Sequence, residues 1–139
     1  MSAKRSVQGY SGFLLIALGG LLIIHLAVIV GLLPAAMVWG GQYEAGPPVI
    51  KMELLASLIT ILSALIVADF SERLRVMPNW LSKIGMYLLA GMFLLSTLGS
   101  ISSAHPLERY GMSVYALVLA VLSIQLLRAK ARMATEARS

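Results

Sequence analysis

Two ionisable residues lie within or beside long apolar segments, where such side chains often have chemical roles. His25 lies about 12 residues into an apolar run from Phe13 to Leu33. That length of helix rises about 18 Å, which places the imidazole in the outer half of a hydrocarbon layer of about 30 Å. We therefore expect His25 to have a polar partner. The sequence leaves two alternatives open, a structural hydrogen bond to another helix and the binding of a ligand or proton.

Glu53 is the second such residue, at the start of another apolar run. Small residues follow it at offsets that share one helix face, which predicts that its carboxylate points into a helix bundle: Ala56, Ser57, Thr60 and Ala64. Two cations are expected at the same end of the helices, Lys51 and Arg109, and Lys51 faces elsewhere. We predict that Arg109 pairs with Glu53 or with nearby Glu44, and that this pair is structural.

Three more candidates lie at that end, and with His25 and Glu53 they form a loose set of imidazoles and carboxylates: Glu44, His105 and Glu108. Such groups bind metal ions, but their spacing matches neither His-Glu-x-x-His nor a close histidine pair. We predict solvated loop charges and no metal site. The sequence has no cysteine, no Gly-x-Ser-x-Gly turn and no phosphate-binding glycine loop. We therefore predict no catalytic residue and no cofactor.

The composition places the chain in a membrane. Hydrophobic residues make up 59% and charged residues 12% of its 139 residues, whereas about a quarter of a soluble domain is charged. Four apolar runs are each long enough to cross a bilayer as a helix, at about 12–36, 50–70, 80–102 and 109–130. Short connections between them predict an all-α, up-down four-transmembrane-helix bundle that forms one domain over residues 1–139.

Small residues recur along each predicted helix. Helices in lipid associate by close backbone approach at such residues, so we interpret these positions as packing faces. They are Gly20, Ala27 and Gly31 in the first helix, Ala56, Thr60, Ala64 and Ala68 in the second, Gly91, Ser96, Gly99 and Ser100 in the third, and Ser113, Ala116, Ala120 and Ser123 in the fourth.

The basic residues predict the orientation. Nine of the eleven lysines and arginines fall on one side of the predicted helices, while Lys51 and Arg109 fall on the other. The positive-inside rule then places both termini and the loop around residues 71–79 in the cytoplasm. These residues sit at the ends of apolar runs and form no stripe with interleaved aromatics, so we predict no nucleic-acid partner.

The longest polar interruption runs from Trp39 to Pro48. Glycines that permit unusual backbone conformations and prolines that restrict them predict an ordered loop that folds over the outer end of the bundle, with aromatic side chains at the membrane interface. Its candidate structural or ligand-binding residues are Gly40, Gly41, Gln42, Tyr43, Glu44 and Gly46.

These motifs are similar to those of a family of small uncharacterised bacterial four-helix membrane proteins. The resemblance lies in Trp39-Gly40-Gly41-Gln42-Tyr43 after the first helix, Pro47-Pro48 before the second, and Glu108-Arg109 before the fourth. It departs from the pattern at Glu53, where a basic residue is common. The resemblance implies a multi-pass protein of the bacterial inner membrane and the importance of Gly40, Gly41, Glu108 and Arg109, and it brings no activity with it.

The sequence therefore favours a non-enzymatic membrane protein with a small polar pocket at its extracytoplasmic end. The pocket would bind a lipid, a small molecule or the helix of a partner membrane protein. The first alternative is a small transporter or proton-coupled channel that uses His25 and Glu53, and an intramembrane enzyme is the second. A transporter of this length would need to form a homodimer to enclose a path for its substrate, so the first alternative includes a homodimer.

Overall fold

The protein is a bundle of long helices in the computed structural model, which describes residues 2–35 and 47–138. The described residues contain four α-helices and no strand. This confirms the prediction of an all-α fold. All four helices are also long and apolar enough to cross a membrane. They are α1 Ala3–Ile29, α2 Pro47–Phe70, α3 Asn79–Ile101 and α4 Ser113–Glu136, the last preceded by a π-helical turn at Glu108–Met112.

The first helix begins and ends earlier than its apolar run predicts. It starts at Ala3, because charged residues such as Lys4 are good helix formers and lengthen the helix beyond its apolar part. It stops at Ile29, where Gly31 adopts the left-handed conformation with φ of 76°. This turn lets the Leu32 N–H donate to the carbonyl of Ala27 at 2.8 Å, which satisfies a carbonyl at the helix end.

The second helix begins at Pro47, three residues before its predicted start. Proline suits the first turn of a helix because its missing N–H has no partner there in any helix. The pair Pro47-Pro48 therefore belongs to the helix and does not precede it.

The four helices form a closed ring in which α1 contacts α2 and α4, and α3 contacts α2 and α4. Gln8 meets Ser71 at one end of the α1–α2 pair and His25 meets Glu53 towards the other, so these two helices run antiparallel. We call the end with the chain termini and residues 71–78 the basic end, and the end with residues 102–107 the loop end.

Most of each helix surface faces away from the bundle. Only 22% of the most apolar window of α1 and 28% of each of the other three windows is buried. Large apolar side chains such as Ile16 and Leu95 are at least 70% exposed, a cost that lipid removes. The buried remainder forms one core that includes Leu14, Leu18, Met86, Phe93 and Leu119. The fold is that of a multi-pass membrane protein.

The basic end is held by polar contacts. The carboxylate of Asp69 accepts hydrogen bonds from the backbone N–H groups of Val76 at 2.7 Å and Met77 at 2.9 Å. Arg73 donates to the Gln8 carbonyl at 2.9 Å and to the Ser11 hydroxyl at 3.2 Å. The 71–78 connection is thereby fixed to the end of α2 and to α1.

A second set of contacts at the basic end joins the same connection to α4. The Lys130 ammonium donates to the Glu72 carboxylate, and this hydrogen bond holds the pKa of Glu72 below its ordinary value. Lys130 also lies 5.8 Å from the centre of the Phe70 ring, within the range of a cation–π contact.

The small residues of α3 are only partly explained by packing. A Cβ atom at Gly85 would lie 2.9 Å from the Cγ2 atom of Ile66 in α2, so glycine is required for this approach. Among the described residues, a Cβ at Gly91 or Gly99 would meet nothing within 4 Å, so the packing prediction is wrong for both. In α4 the same prediction is confirmed, because its small residues are all buried: Ser113, Ala116, Ala120 and Ser123.

We expect Gly85→Ala to destabilise the bundle by about 1–3 kcal/mol, because Ile66 is β-branched and has little rotamer freedom to withdraw. Gly91→Ala, six residues along the same helix, is the matched control and should be neutral or slightly stabilising, since alanine is the better helix former. Unfolding of both variants in detergent micelles measures the difference. Equal stabilities would show that α2 and α3 are not in close contact at Gly85.

Candidate functional site: a cavity in the loop half of the bundle

A buried pair of ionisable side chains joins α1 to α2. The Nδ1 atom of His25 lies 2.7 Å from the Oε2 atom of Glu53. Glu53 is fully buried and His25 is 8% exposed. The prediction that Glu53 points into the bundle is confirmed, and the polar partner expected for His25 is Glu53.

The predicted pairing of Arg109 with Glu53 is wrong. Arg109 is exposed and its Nε atom donates to the carbonyl of Ile101 at 3.2 Å, with no ion pair to Glu53. The cause is the position of α1. A first helix over 12–36 would hold His25 near its centre, whereas the helix Ala3–Ile29 holds it one turn from its end, level with Glu53 near the start of α2. The alternative partner, Glu44, lies outside the described residues.

Next to this pair is a partly open cavity of about 370 Å³ lined by residues of all four helices. It extends from Leu18 and Leu119 near the middle of the bundle to His25 and Glu108 towards the loop end. Most of its wall is apolar. The polar residues in the wall are His25, Thr60, Ser63, Ser96, Ser100, Glu108 and Tyr115.

Several hydroxyl groups in the wall already use their hydrogens. Thr60 donates to the carbonyl of Ala56 at 2.8 Å, and Ser63 donates to that of Ile59 at 2.7 Å. The Tyr115 hydroxyl donates to the carbonyl of Ala17 in α1. Each of these oxygens keeps lone pairs and no free hydrogen, so it can only accept a further hydrogen bond.

Glu108 enters the wall at the π-helical turn that precedes α4. Its Oε2 atom accepts a hydrogen bond from the Ser103 hydroxyl at 2.8 Å, and that hydroxyl in turn accepts from the His105 backbone N–H at 3.1 Å. The connection between α3 and α4 thereby fixes the carboxylate. A π-helical turn changes the direction of the side chains on either side of it and is frequent at functional sites.

The cavity is open on one side, and residues of α2 and α3 contribute exposed atoms to its wall. These helices are close at Gly85 in the basic half, whereas in the loop half no described residue of α2 lies within 4 Å of a Cβ atom built at Gly99. Ile59 of α2 and Ser96 of α3 both line the cavity and are exposed. Exposed residues of both helices therefore form part of the cavity wall.

The remaining predicted site residues are His105 and the residues of the loop between α1 and α2. His105 is half-buried, its Nδ1 atom has no hydrogen-bond partner in the described part of the chain, and it does not line the cavity. Within residues 2–35 and 47–138, no three histidine or acidic side chains are grouped to hold a metal ion. The loop residues lie outside those ranges: Gly40, Gly41, Gln42, Tyr43, Glu44 and Gly46.

Sequence reasoning missed the hydroxyl groups of the wall. Thr60, Ser96 and Ser100 belong to the recurring small residues of α2 and α3, but that pattern is the same for a packed helix face and for a cavity wall. No sequence pattern indicated that Tyr115 lines a cavity, since a tyrosine in an apolar run is also typical of the membrane interface.

The helices define a multi-pass helical membrane protein, and its loop half contains a largely apolar, partly open cavity. No family model, curated protein or solved structure matches this chain.

Proposed function

We propose that this chain is a non-enzymatic protein of the bacterial inner membrane that binds a small amphipathic molecule taken from the bilayer. The proposal includes the orientation that the basic residues predict, with both termini in the cytoplasm and the cavity in the extracytoplasmic half. It also includes membership of the family of small four-helix proteins that the loop motifs resemble.

The cavity is the observation that carries this proposal. Its volume of about 370 Å³ is within the range of small-molecule sites, about 300–1,000 Å³, and like them it has a mostly apolar wall with a few polar groups. Its wall includes the exposed Ile59 of α2 and Ser96 of α3, and the proposal places the entry of a molecule dissolved in lipid between these two helices.

A photoreactive alcohol tests the proposal. A long-chain alcohol that carries a diazirine is added to the protein in vesicles of phosphatidylethanolamine and phosphatidylglycerol, and the labelled residues are mapped after irradiation. We expect labelling to concentrate on the wall residues of α2 and α3. An even distribution over all lipid-facing surfaces would contradict the proposal.

Two glycines of α3 supply a matched pair of variants for this experiment. Gly99 lines the cavity and Gly91 does not, while a Cβ at either position meets nothing within 4 Å among the described residues. Gly99→Leu should occupy the cavity and reduce labelling several-fold, whereas Gly91→Leu should leave it unchanged. Equal labelling of the two variants would place the alcohol outside the cavity.

A second candidate function is a proton-coupled transporter that acts as a homodimer. The buried His25–Glu53 pair beside the cavity favours it, since paired ionisable groups inside a membrane are typical of proton relays. Proton flux into liposomes, followed with a pH-sensitive dye, tests this candidate. Flux that is lost in Glu53→Gln would support it, and equal rates in protein-containing and empty liposomes would exclude it.

A further inference from the structure

We infer that the molecule bound in the cavity is a cationic amphiphile with a primary ammonium group, held by the carboxylate of Glu108. This inference rests on the proposed function and names the class of its ligand. It is carried by two separate properties of the wall, its charge and the direction of its hydrogen bonds.

The charge of the wall favours a cation. Glu108 contributes a carboxylate, and no lysine or arginine lines the cavity in the described part of the chain. The two cations of the loop half, Lys51 and Arg109, are both exposed. Residues 36–46, which are outside the described part, contain no lysine, arginine or histidine. A carboxylate in a largely apolar cavity is best compensated by a positive charge on the ligand.

The hydrogen bonds of the wall favour a donor. Thr60, Ser63 and Tyr115 have given their hydrogens to backbone carbonyls and present only acceptor lone pairs. When Glu53 is ionised, the Nδ1–H group of His25 donates to it, so the Nε2 atom of a neutral imidazole is also an acceptor.

An acceptor-rich wall selects among ligand headgroups. A primary ammonium has three donors and no acceptor, so it complements these acceptors. Among the described wall residues, a carboxylate could accept hydrogen bonds from the hydroxyls of Ser96 and Ser100 but would meet the like charge of Glu108. The apolar remainder of the wall, from Leu18 to Leu119, suits an alkyl chain.

Four probes with the same alkyl chain separate these properties: decylammonium, decyltrimethylammonium, decanol and decanoate. Their binding to the full chain in nanodiscs of neutral lipid is measured by calorimetry, with empty nanodiscs as the blank. We expect decylammonium to bind about tenfold or more tightly than decanol, the size of one charge-assisted hydrogen bond. Decyltrimethylammonium, which has charge without donors, should lie between them, and decanoate should bind most weakly.

Glu108→Gln tests the assigned carboxylate. It should remove about tenfold of the ammonium affinity and leave decanol binding unchanged, and decanol binding also reports that the variant is folded. Glu136→Gln, which removes a carboxylate at the basic end, is the matched control and should leave all four affinities unchanged.

The outcomes separate this inference from the proposed function. If decanol binds in a Gly99→Leu-sensitive manner but decylammonium binds no more tightly, the ligand class is wrong and the binding function stands. Tightest binding of decanoate also overturns the ligand class. If no probe binds in a Gly99→Leu-sensitive manner, both proposals fail. The ranking of the probes on the unmodified chain decides the matter even if Glu108→Gln does not fold.

Discussion

His25→Leu should destabilise the bundle by about 3–5 kcal/mol, because it removes the imidazole that is hydrogen-bonded to the fully buried carboxylate of Glu53. A change in side-chain volume is not the cause of this destabilisation, since leucine and histidine differ little in size. Unfolding in mixed micelles with increasing denaturing detergent measures the free energy.

Two further variants show that the loss comes from the pair. His25→Leu combined with Glu53→Met replaces both partners by apolar groups of similar length and should recover part of the stability. Lys51→Met removes an exposed charge two residues from Glu53 and should change the stability by less than about 1 kcal/mol. If His25→Leu is as mild as this control, water reaches the Glu53 carboxylate and the pair is not a structural contact.

The second large effect is expected at the basic end. Asp69→Ala should cost about 2–4 kcal/mol, because two backbone N–H groups, of Val76 and Met77, lose an acceptor that is 6% exposed. Asp69→Asn retains one oxygen acceptor and should cost about half as much. Limited proteolysis should also cleave the 71–78 connection faster in Asp69→Ala, which a uniform loss of stability would not produce.

Glu72→Gln is the matched control for this prediction. Its carboxylate is also near the end of α2 and pairs with Lys130, but the side chain is 47% exposed, so its loss should cost less than about 1 kcal/mol. Similar losses at Asp69 and Glu72 would mean that the Asp69 hydrogen bonds do not fix the connection.

Much of the fold follows from single residues and their spacing. Four apolar runs predict the helices, and the small residues after Glu53 predict which way its side chain faces. The boundaries of α1 were less accurate, because Lys4 and Arg5 extend a helix that the apolar run alone starts later, and because the left-handed turn at Gly31 stops it earlier. A helix end set by one residue is weakly encoded in an apolar pattern.

The partner of Glu53 could not be predicted for a related reason. Which residues of α1 and α2 lie at the same level depends on where α1 ends and on how the chain crosses to α2. Charge alone favoured Arg109 as the partner of Glu53. In the structure, His25 and Glu53 lie at the same height along the bundle axis, so His25 is the partner. The cavity could not be predicted from the sequence, because small residues such as Gly99 and Ser100 occur both where helices pack closely and where they line a cavity.

The π-helical turn at Glu108–Met112 has a consequence for insertions and deletions. One extra or missing residue rotates the rest of an α-helix by about 100°, which normally ruins a bundle. A π-helical turn holds one residue more than an α-helical turn, so it can absorb such a change within a single turn. Here the first and last residues of the turn, Glu108 and Met112, line the cavity, and the buried face of α4 follows directly. A one-residue deletion in this turn would turn Glu108 away from the cavity while Ala116, Ala120 and Ser123 keep their register, so the cavity can lose this carboxylate without refolding of the bundle.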